Sequence, residues 1–463
     1  MTGSRLHAAD ALLPTGWARD VLLEWDEHGD LVAVTPDVPA PEGAATAAGP
    51  VVPGLTNLHS HAFQRAFAGL AEFRGSSDDS FWSWRERMYR VANAVTPDEL
   101  DAIATWLFVE MLEGGYTSVC EFHYLHNDVD GRPYADDSTL AAGLMRAADR
   151  VGLGVTLLPV LYQQGGFGGV APTEGQRRFV RSTDTVLRLV ETMRRACDRR
   201  SSRVGLALHS LRAVTADAMQ QVLSGLDTLD RTAPIHIHVA EQPREVEECL
   251  AWSGQRPVEW LLDHAPVDQR WCLVHATHMS AGETHRASAT GAVAGLCPTT
   301  EANLGDGIFD WPAWTAAGHG RWGVGSDSHI TVNAADELRL LEYSLRLRTG
   351  RRNVAATARE PHVATAMTLA AAAGGAAAAG RSVAGLTPGQ RADFVVLDGA
   401  HPLIGGLPAP DALDAHVFAS HRASAIDAVV VGGQQVVRQG RHALHAPAAE
   451  GFVRARAALL ARL

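Results

Sequence analysis

Residues 51–61 read VVPGLTNLHSH, and residues 62–70 continue AFQRAFAGL. An apolar run ends on two histidines separated by one residue. Two residues is the side-chain repeat of a β-strand, so His59 and His61 fall on one face. In a chain with 21 histidines such a pair also arises by chance, so a metal site requires the rest of the chain to supply further ligands.

Working outward, the same rhythm recurs. Eight strand-like runs can be read: VVPGLTNLHSH, TSVCEFHY, GVTLLPVLY, RVGLALHS, IHIHVAE, CLVHATH, AVAGLCPTT and GRWGVGSDSH. Helical patterns lie between them, among them Pro97 to Glu113, Thr183 to Asp198, Thr215 to Asp227 and Arg244 to Trp252. Thr96 and Thr215 read as N-caps before acidic first turns. Apolar strands alternating with helices imply a parallel sheet, and eight of them imply an α/β fold of the (β/α)8 TIM-barrel type. A doubly wound open sheet is the structural rival, but it does not need eight repeats or polar residues at almost every strand end.

The barrel is expected over residues 51–380, with the alanine-glycine stretch Ala370 to Gly380 as its tightly packed last helix. Residues 1–50 contain DVLLEWDEHGDLVAV, two strands joined at His28-Gly29-Asp30, and then a proline- and alanine-rich connector. Residues 381–463 return to β character in GLTPGQRADFVVLDG and in IDAVVVGGQQVVRQGRH, a hairpin with a Gly-Gly turn. Both ends of the chain are expected to form one small β-sandwich domain, followed by a terminal amphipathic helix.

Hydrophobic content of 46% suffices for a large core, and the net charge of −12 argues against nucleic acid or an anionic membrane as partner. No stretch resembles a signal peptide, and no apolar run approaches the ~20 residues that cross a bilayer, so a cytoplasmic location is expected. The five cysteines show no Cys-x-x-Cys spacing and read as buried free thiols. All 40 basic residues are arginine. With no lysine, Schiff-base and P-loop mechanisms are excluded.

Polar residues collect at the strand ends: His59 and His61 on the first; Glu121, His123 and Tyr124 on the second; His209 on the fourth; His236, His238 and Glu241 on the fifth; His275 and His278 on the sixth; Asp327 and His329 on the eighth. A barrel places its active site there. Three imidazoles and a carboxylate suit zinc, with iron second, and a catalytic site keeps one position open for water. His59, His61, Asp327 and one histidine of the fifth strand would form that set. Spacing alone does not choose between His236 and His238, nor between His275 and His278.

VVPGLTNLHSH, HVAE, LVHATH, GSDSH and the late ADFVVLD resemble the amidohydrolase superfamily across essentially the whole chain. The His-x-x-Glu of His238 and Glu241 is similar to its mononuclear deaminase branch. Two-metal relatives often bridge their ions with a carboxylated lysine, which this chain cannot supply. HSHAFQRAFAGL, FWSWRERMY, EFHYLHND, LHSLRAV, IHIHVAEQ and CPTTEANLGDG resemble the formiminoglutamate deiminase family of histidine degradation. That resemblance implies a homodimer and one divalent metal per subunit, Zn2+ or secondarily Fe2+, held by His59, His61, His238 and Asp327. It assigns proton chemistry to Glu241, His275 and Asp327. It assigns Gln64, Arg85, Tyr124, His209 and Arg212 to a small substrate with two carboxylates. A metal-activated hydroxide would attack the formimino carbon of N-formimino-L-glutamate and release ammonia. Bidentate arginines suit those carboxylates in a net-negative protein. Arg85 is expected in an aromatic loop, in its own or a neighbouring subunit. Arg65, His236, His278 and His329 receive no role. The rival is a deaminase of a purine, pyrimidine or nucleoside, whose flat rings need fewer arginines.

Overall fold

In a computed structural model of the chain, eight parallel strands stand side by side in chain order: Leu55–Ser60, Tyr116–His123, Gly154–Leu161, Leu206–Ser210, Ile235–Val239, Trp271–His275, Val293–Leu296 and Arg321–Val324. The structure describes residues 4–73, 81–198, 200–316, 320–419 and 424–463. The sheet closes on itself where the Asp327 amide donates to the His59 carbonyl at 2.9 Å and the His61 amide donates to the Asp327 carbonyl at 3.3 Å. The (β/α)8 barrel is therefore sealed by the segments that carry three of the candidate ligands. Every residue of the second and third strands is buried, as helices on the outside of a parallel sheet require. The run RVGLALHS is two pieces, Ser202–Val204 and Leu206–Ser210, both paired to the third strand.

Caps set the helix starts. Thr96 and Glu99 form a reciprocal capping box before Pro97–Glu113, and the Thr215 side chain accepts from the Ala218 amide before Ala216–Leu229. The last barrel helix, Val363–Ala379, needs its small residues for close approach. A Cβ at Gly374 would collide with the Trp322 carbonyl, and one at Gly375 would press on Thr56. Its C-terminal end lies across the strand starts, where Thr156 Oγ1 donates to the Ala379 carbonyl at 2.9 Å.

Nine strands from both chain ends form a second sheet, joined through Val51–Pro53, which pairs with Ser4–Leu13 on one side and Phe394–Leu397 on the other. The sheet rolls over, so that Trp25 meets Phe394 edge-on at 5.9 Å across a core of Val21, Leu23 and Val430. The hairpin Ile426–Val431 and Gln434–Arg438 turns on Gly432 and Gly433, both at positive φ, the geometry a two-residue turn of right-handed twist demands.

Two further local readings differ from the structure. The opening run is two strands, because after Pro53 the Gly54 amide bonds the Asp393 carbonyl and the chain crosses into the barrel at Leu55. Ser4–Leu13 was not foreseen as a strand. Its SRLHAADALL composition is poor in β-branched residues, and pairing with Gly16–Trp25 imposes the conformation.

Candidate active site

The strands bring His59, His61, His238 and Asp327 together at the C-terminal mouth of the barrel. His59 Nε2 lies 3.1 Å from His61 Nε2 and 2.9 Å from His238 Nε2. Asp327 Oδ1 lies 3.5 Å from His59 Nε2 and 3.3 Å from His61 Nε2. Ligands about 2.0–2.1 Å from a tetrahedral zinc stand roughly 3.3 Å apart, so the spacing fits. His61 Nδ1 donates to the Phe122 carbonyl at 3.0 Å, and His238 Nδ1 to the His209 carbonyl at 2.9 Å. Those bonds set the tautomers and turn both Nε2 lone pairs inward. Burial keeps the rings neutral, lowering His61 to about 3 and His59 and His238 well below the ordinary value. Converging lone pairs beside a buried carboxyl repel one another unless a cation lies between them. The donor set thus fits a divalent metal.

The seam behind this cluster is locked by a buried hydrogen-bonded chain. Asn57 Nδ2 donates to Ser326 Oγ at 2.6 Å, Ser326 Oγ meets His329 Nδ1 at 2.9 Å, and His329 Nε2 meets Ser60 Oγ at 3.3 Å. Ser60 Oγ donates to Glu121 Oε2 at 2.5 Å, and the Ala62 amide donates to Glu121 Oε1 at 2.8 Å. Arg65 clasps Glu110 with two nitrogens at 2.6 and 2.7 Å and donates to the His329 carbonyl at 3.1 Å. Arg65 and His329 therefore tie the first strand to the eighth.

Beside the cluster, His275 Nε2 lies 3.6 Å from Glu241 Oε1 and 3.8 Å from Asp327 Oδ2, with Glu301 Oε1 at 3.2 Å from Nδ1. Burial alone would lower the His275 pKa, but Glu241, Glu301 and Asp327 outweigh it and carry it well above the usual value. Burial pushes Asp327 up to about 7, against the pull of His275. Ala240, His275, Asp327 and His329 all have positive φ, so the strand ends bend sharply to aim these groups inward. The Glu245 carboxylate accepts from the Ala240 and Glu241 amides and holds one of those bends.

One narrow pocket joins these groups to the substrate-binding candidates: Gln64, Arg85, Tyr124, His209 and Arg212 all line it with His61, His238, Glu241, His275 and Asp327. Gln64 Nε2 donates to the Tyr124 hydroxyl at 2.9 Å. Arg212 is buried, its Nε has no hydrogen-bond partner, and among the described residues no carboxylate pairs with it. Arg85 is not in a loop. It lies on the helix Phe81–Ala94 and reaches the pocket of its own chain. Trp82 packs under Arg244, Arg85 and Arg212, with guanidinium carbons 4.4, 5.3 and 6.0 Å from its ring. A wider cleft of about 860 Å3, lined in part by Glu113, Asp398 and Arg441, holds none of these groups, so volume does not locate the chemistry.

The remaining histidines separate. His236 Nε2 donates to the Ala378 carbonyl at 2.8 Å, His278 Nε2 donates to the Asp306 carbonyl at 2.6 Å, and His123 packs on His126 outside the pocket. Sequence reasoning gave no role to Glu121 and passed over Glu245, Glu301 and Asp306. Glu301 and Asp306 lie inside CPTTEANLGDG, where acidic residues beside the site were the available signal.

A (β/α)8 barrel carrying a histidine-carboxylate cluster at its C-terminal mouth has the architecture of a metal-dependent hydrolase. Residues 51–436 match the Amidohydrolase family, and the chain is a hydrolase belonging to it. The formimidoylglutamate deiminase of Pseudomonas aeruginosa is 48% identical over 99% of this chain and 100% of its own. A solved amidohydrolase from Brucella melitensis, also 48% identical, matches 99% of this chain and 100% of its own at a TM-score of 0.93. An adenosine deaminase from Xanthomonas campestris, solved with bound zinc, shares the fold: TM-score 0.79, 98% of each chain, 22% identity.

Proposed function

We propose that the chain hydrolyses N-formimino-L-glutamate to N-formyl-L-glutamate and ammonia, using one zinc ion held by His59, His61, His238 and Asp327. The observation that carries this reading is Arg212, a buried guanidinium with an unpartnered Nε and no carboxylate within ion-pair distance among the described residues; the buried Glu245 feels its charge but is engaged by the Ala240 and Glu241 amides. A buried cation is costly when no anion pairs with it directly, so the pocket favours a carboxylate that can do so. Arg85 supplies a second cation on the same wall, which suits a substrate with two. The full-length identity to a formimidoylglutamate deiminase supports the same choice.

The metal, when bound, lowers the pKa of water toward about 7 and so supplies hydroxide at neutral pH. Asp327 accepts the proton that the attacking water gives up. His275 faces both Asp327 and Glu241 and stabilises charge as the amidine carbon becomes tetrahedral. Glu241 passes a proton to the departing nitrogen, so the C–N bond breaks with loss of ammonia and a formyl amide remains. Arg85, Arg212, His209, Gln64 and Tyr124 hold the rest of the substrate still. A cytoplasmic homodimer belongs to the same proposal, and five unpaired cysteines accord with a reducing compartment.

Ammonia release from N-formimino-L-glutamate, with and without chelator, tests this reading against guanine, adenosine and cytosine as rival substrates. Chelator-sensitive release from the formimino compound alone is expected. Turnover of a nucleobase in its place, or release untouched by chelation, would overturn it.

A further inference from the structure

Behind Arg85 lies a group of side chains to which neither the sequence nor the mechanism assigns a task. Gln176, on the short turn Glu174–Gln176, is buried, and its Oε1 accepts from the Thr173 amide at 2.7 Å and the Thr173 hydroxyl at 3.2 Å. With its oxygen so engaged, the amide can turn only Nε2 toward the interior. Nε2 donates to the Tyr162 hydroxyl at 2.6 Å and the Tyr89 hydroxyl at 3.2 Å. Arg85 Nε also donates to the Tyr89 hydroxyl, at 2.5 Å.

Two phenol oxygens thus receive three N–H hydrogens and still carry two protons of their own. Tyr89 has both lone pairs taken. The two phenols can therefore bond only from Tyr89 to Tyr162, and a carboxylate in the pocket, a stronger acceptor than a neutral phenol, would draw the Tyr89 proton to itself. Burial keeps the Tyr162 phenol protonated, raising its pKa well above the usual value. Tyr162 sits beneath the wall, 4.6 Å from the His209 ring, while Tyr89 lines the pocket with Arg85 and Arg212. A cluster with more donors than acceptors, opening into a cavity, is a seat for an anion.

We propose that the phenol of Tyr89, held by Gln176 with Tyr162 behind it, donates to a carboxylate of the bound substrate and helps set specificity for it. The inference rests on the dicarboxylate reading of the pocket and names a further residue that enforces it.

The test is Tyr89→Phe, which keeps the ring and removes the donor. KM for N-formimino-L-glutamate should rise roughly tenfold, the loss of one hydrogen bond to a charged group. The kcat should stay within about threefold and the metal content should not change. Calorimetry with glutarate should show the same weakening without any turnover. Two analogues, each lacking one carboxylate, refine the assignment: Tyr89→Phe should leave KM unchanged for one of them only. Gln176→Leu, which keeps both hydroxyls but frees them, should give a smaller change in the same direction and covers the case of a poorly folding Tyr89→Phe. Wild-type KM and glutarate affinity in Tyr89→Phe, or equal losses on both analogues, would overturn the proposal. If the wild type released no ammonia yet bound glutarate in a Tyr89-dependent way, the substrate assignment would fail and this contact would survive.

Discussion

His236 and His238 occupy the same strand, two residues apart, and both are buried. They meet opposite ends of the barrel. His238 Nε2 lies 2.9 Å from His59 Nε2 among the groups suited to a metal, whereas His236 Nε2 caps the Ala378 carbonyl at the end of the last helix. A rise of about 6.6 Å separates the two layers. The upper layer converges donors and carboxylates on one point, at a cost in backbone strain and like-charge crowding. The lower layer spends its histidine on one backbone carbonyl, with the other ring nitrogen buried and unpartnered. In this barrel the layer, and not the residue type, decides whether a histidine does chemistry.

The sharpest way to break that contrast lies in the upper layer. Glu241→Gln keeps the shape of the side chain and all four candidate ligands but removes the proton carrier. Turnover should fall roughly 100- to 10,000-fold, the range of general acid–base contributions, with metal content unchanged in elemental analysis. A near-normal rate would remove Glu241 from the mechanism and leave the upper layer a binding site only.

The two layers were unequally legible in the sequence. The barrel could be read because eight apolar strand-like runs alternate with helical patterns, and each repeat restates the same physics. The histidines could be placed at strand ends, but period-two spacing puts His236 and His238 on one face and says nothing of depth. The motif resemblance chose His238, and its depth in the barrel supplies the reason. Glu301 and Glu121 escaped assignment because each acts through a partner distant in the chain, His275 and the Ser60–Ala62 turn. Positive φ at His275, Asp327 and His329 carries no sequence mark, since none is glycine. Arg85 was read as loop because aromatic FWSWRERMY lacks a clear apolar stripe, yet it folds as helix against the pocket.

A smaller effect probes the support between layers. Glu121 accepts from the Ser60 hydroxyl and the Ala62 amide on either side of His61. Burial raises its pKa to about 8, against those two bonds. In Glu121→Gln only one oxygen can accept, so one donor is left facing an amide. Metal affinity, measured by competition with a chelator above pH 8 where the carboxylate is ionised, should fall about 10- to 100-fold, as for other groups that orient ligands. Unchanged affinity would mean that the seam holds His61 without this carboxylate.

The smallest expected effect bears on the contrast most directly. His236→Asn places a shorter side chain where Ala378 needs a donor, leaving a buried helix-end carbonyl short of its partner. The loss in stability should be about 1–3 kcal/mol, read from denaturant unfolding of metal-free protein. Its metal affinity and kcat should match wild type, because the change lies one layer beneath the ligands and touches only the helix that closes the barrel floor. His238→Asn should do the reverse and abolish metal binding with modest change in the stability of the metal-free fold. If His236→Asn lost metal as His238→Asn does, the two layers would be one coupled network, and depth along the strand would no longer explain why neighbouring histidines differ.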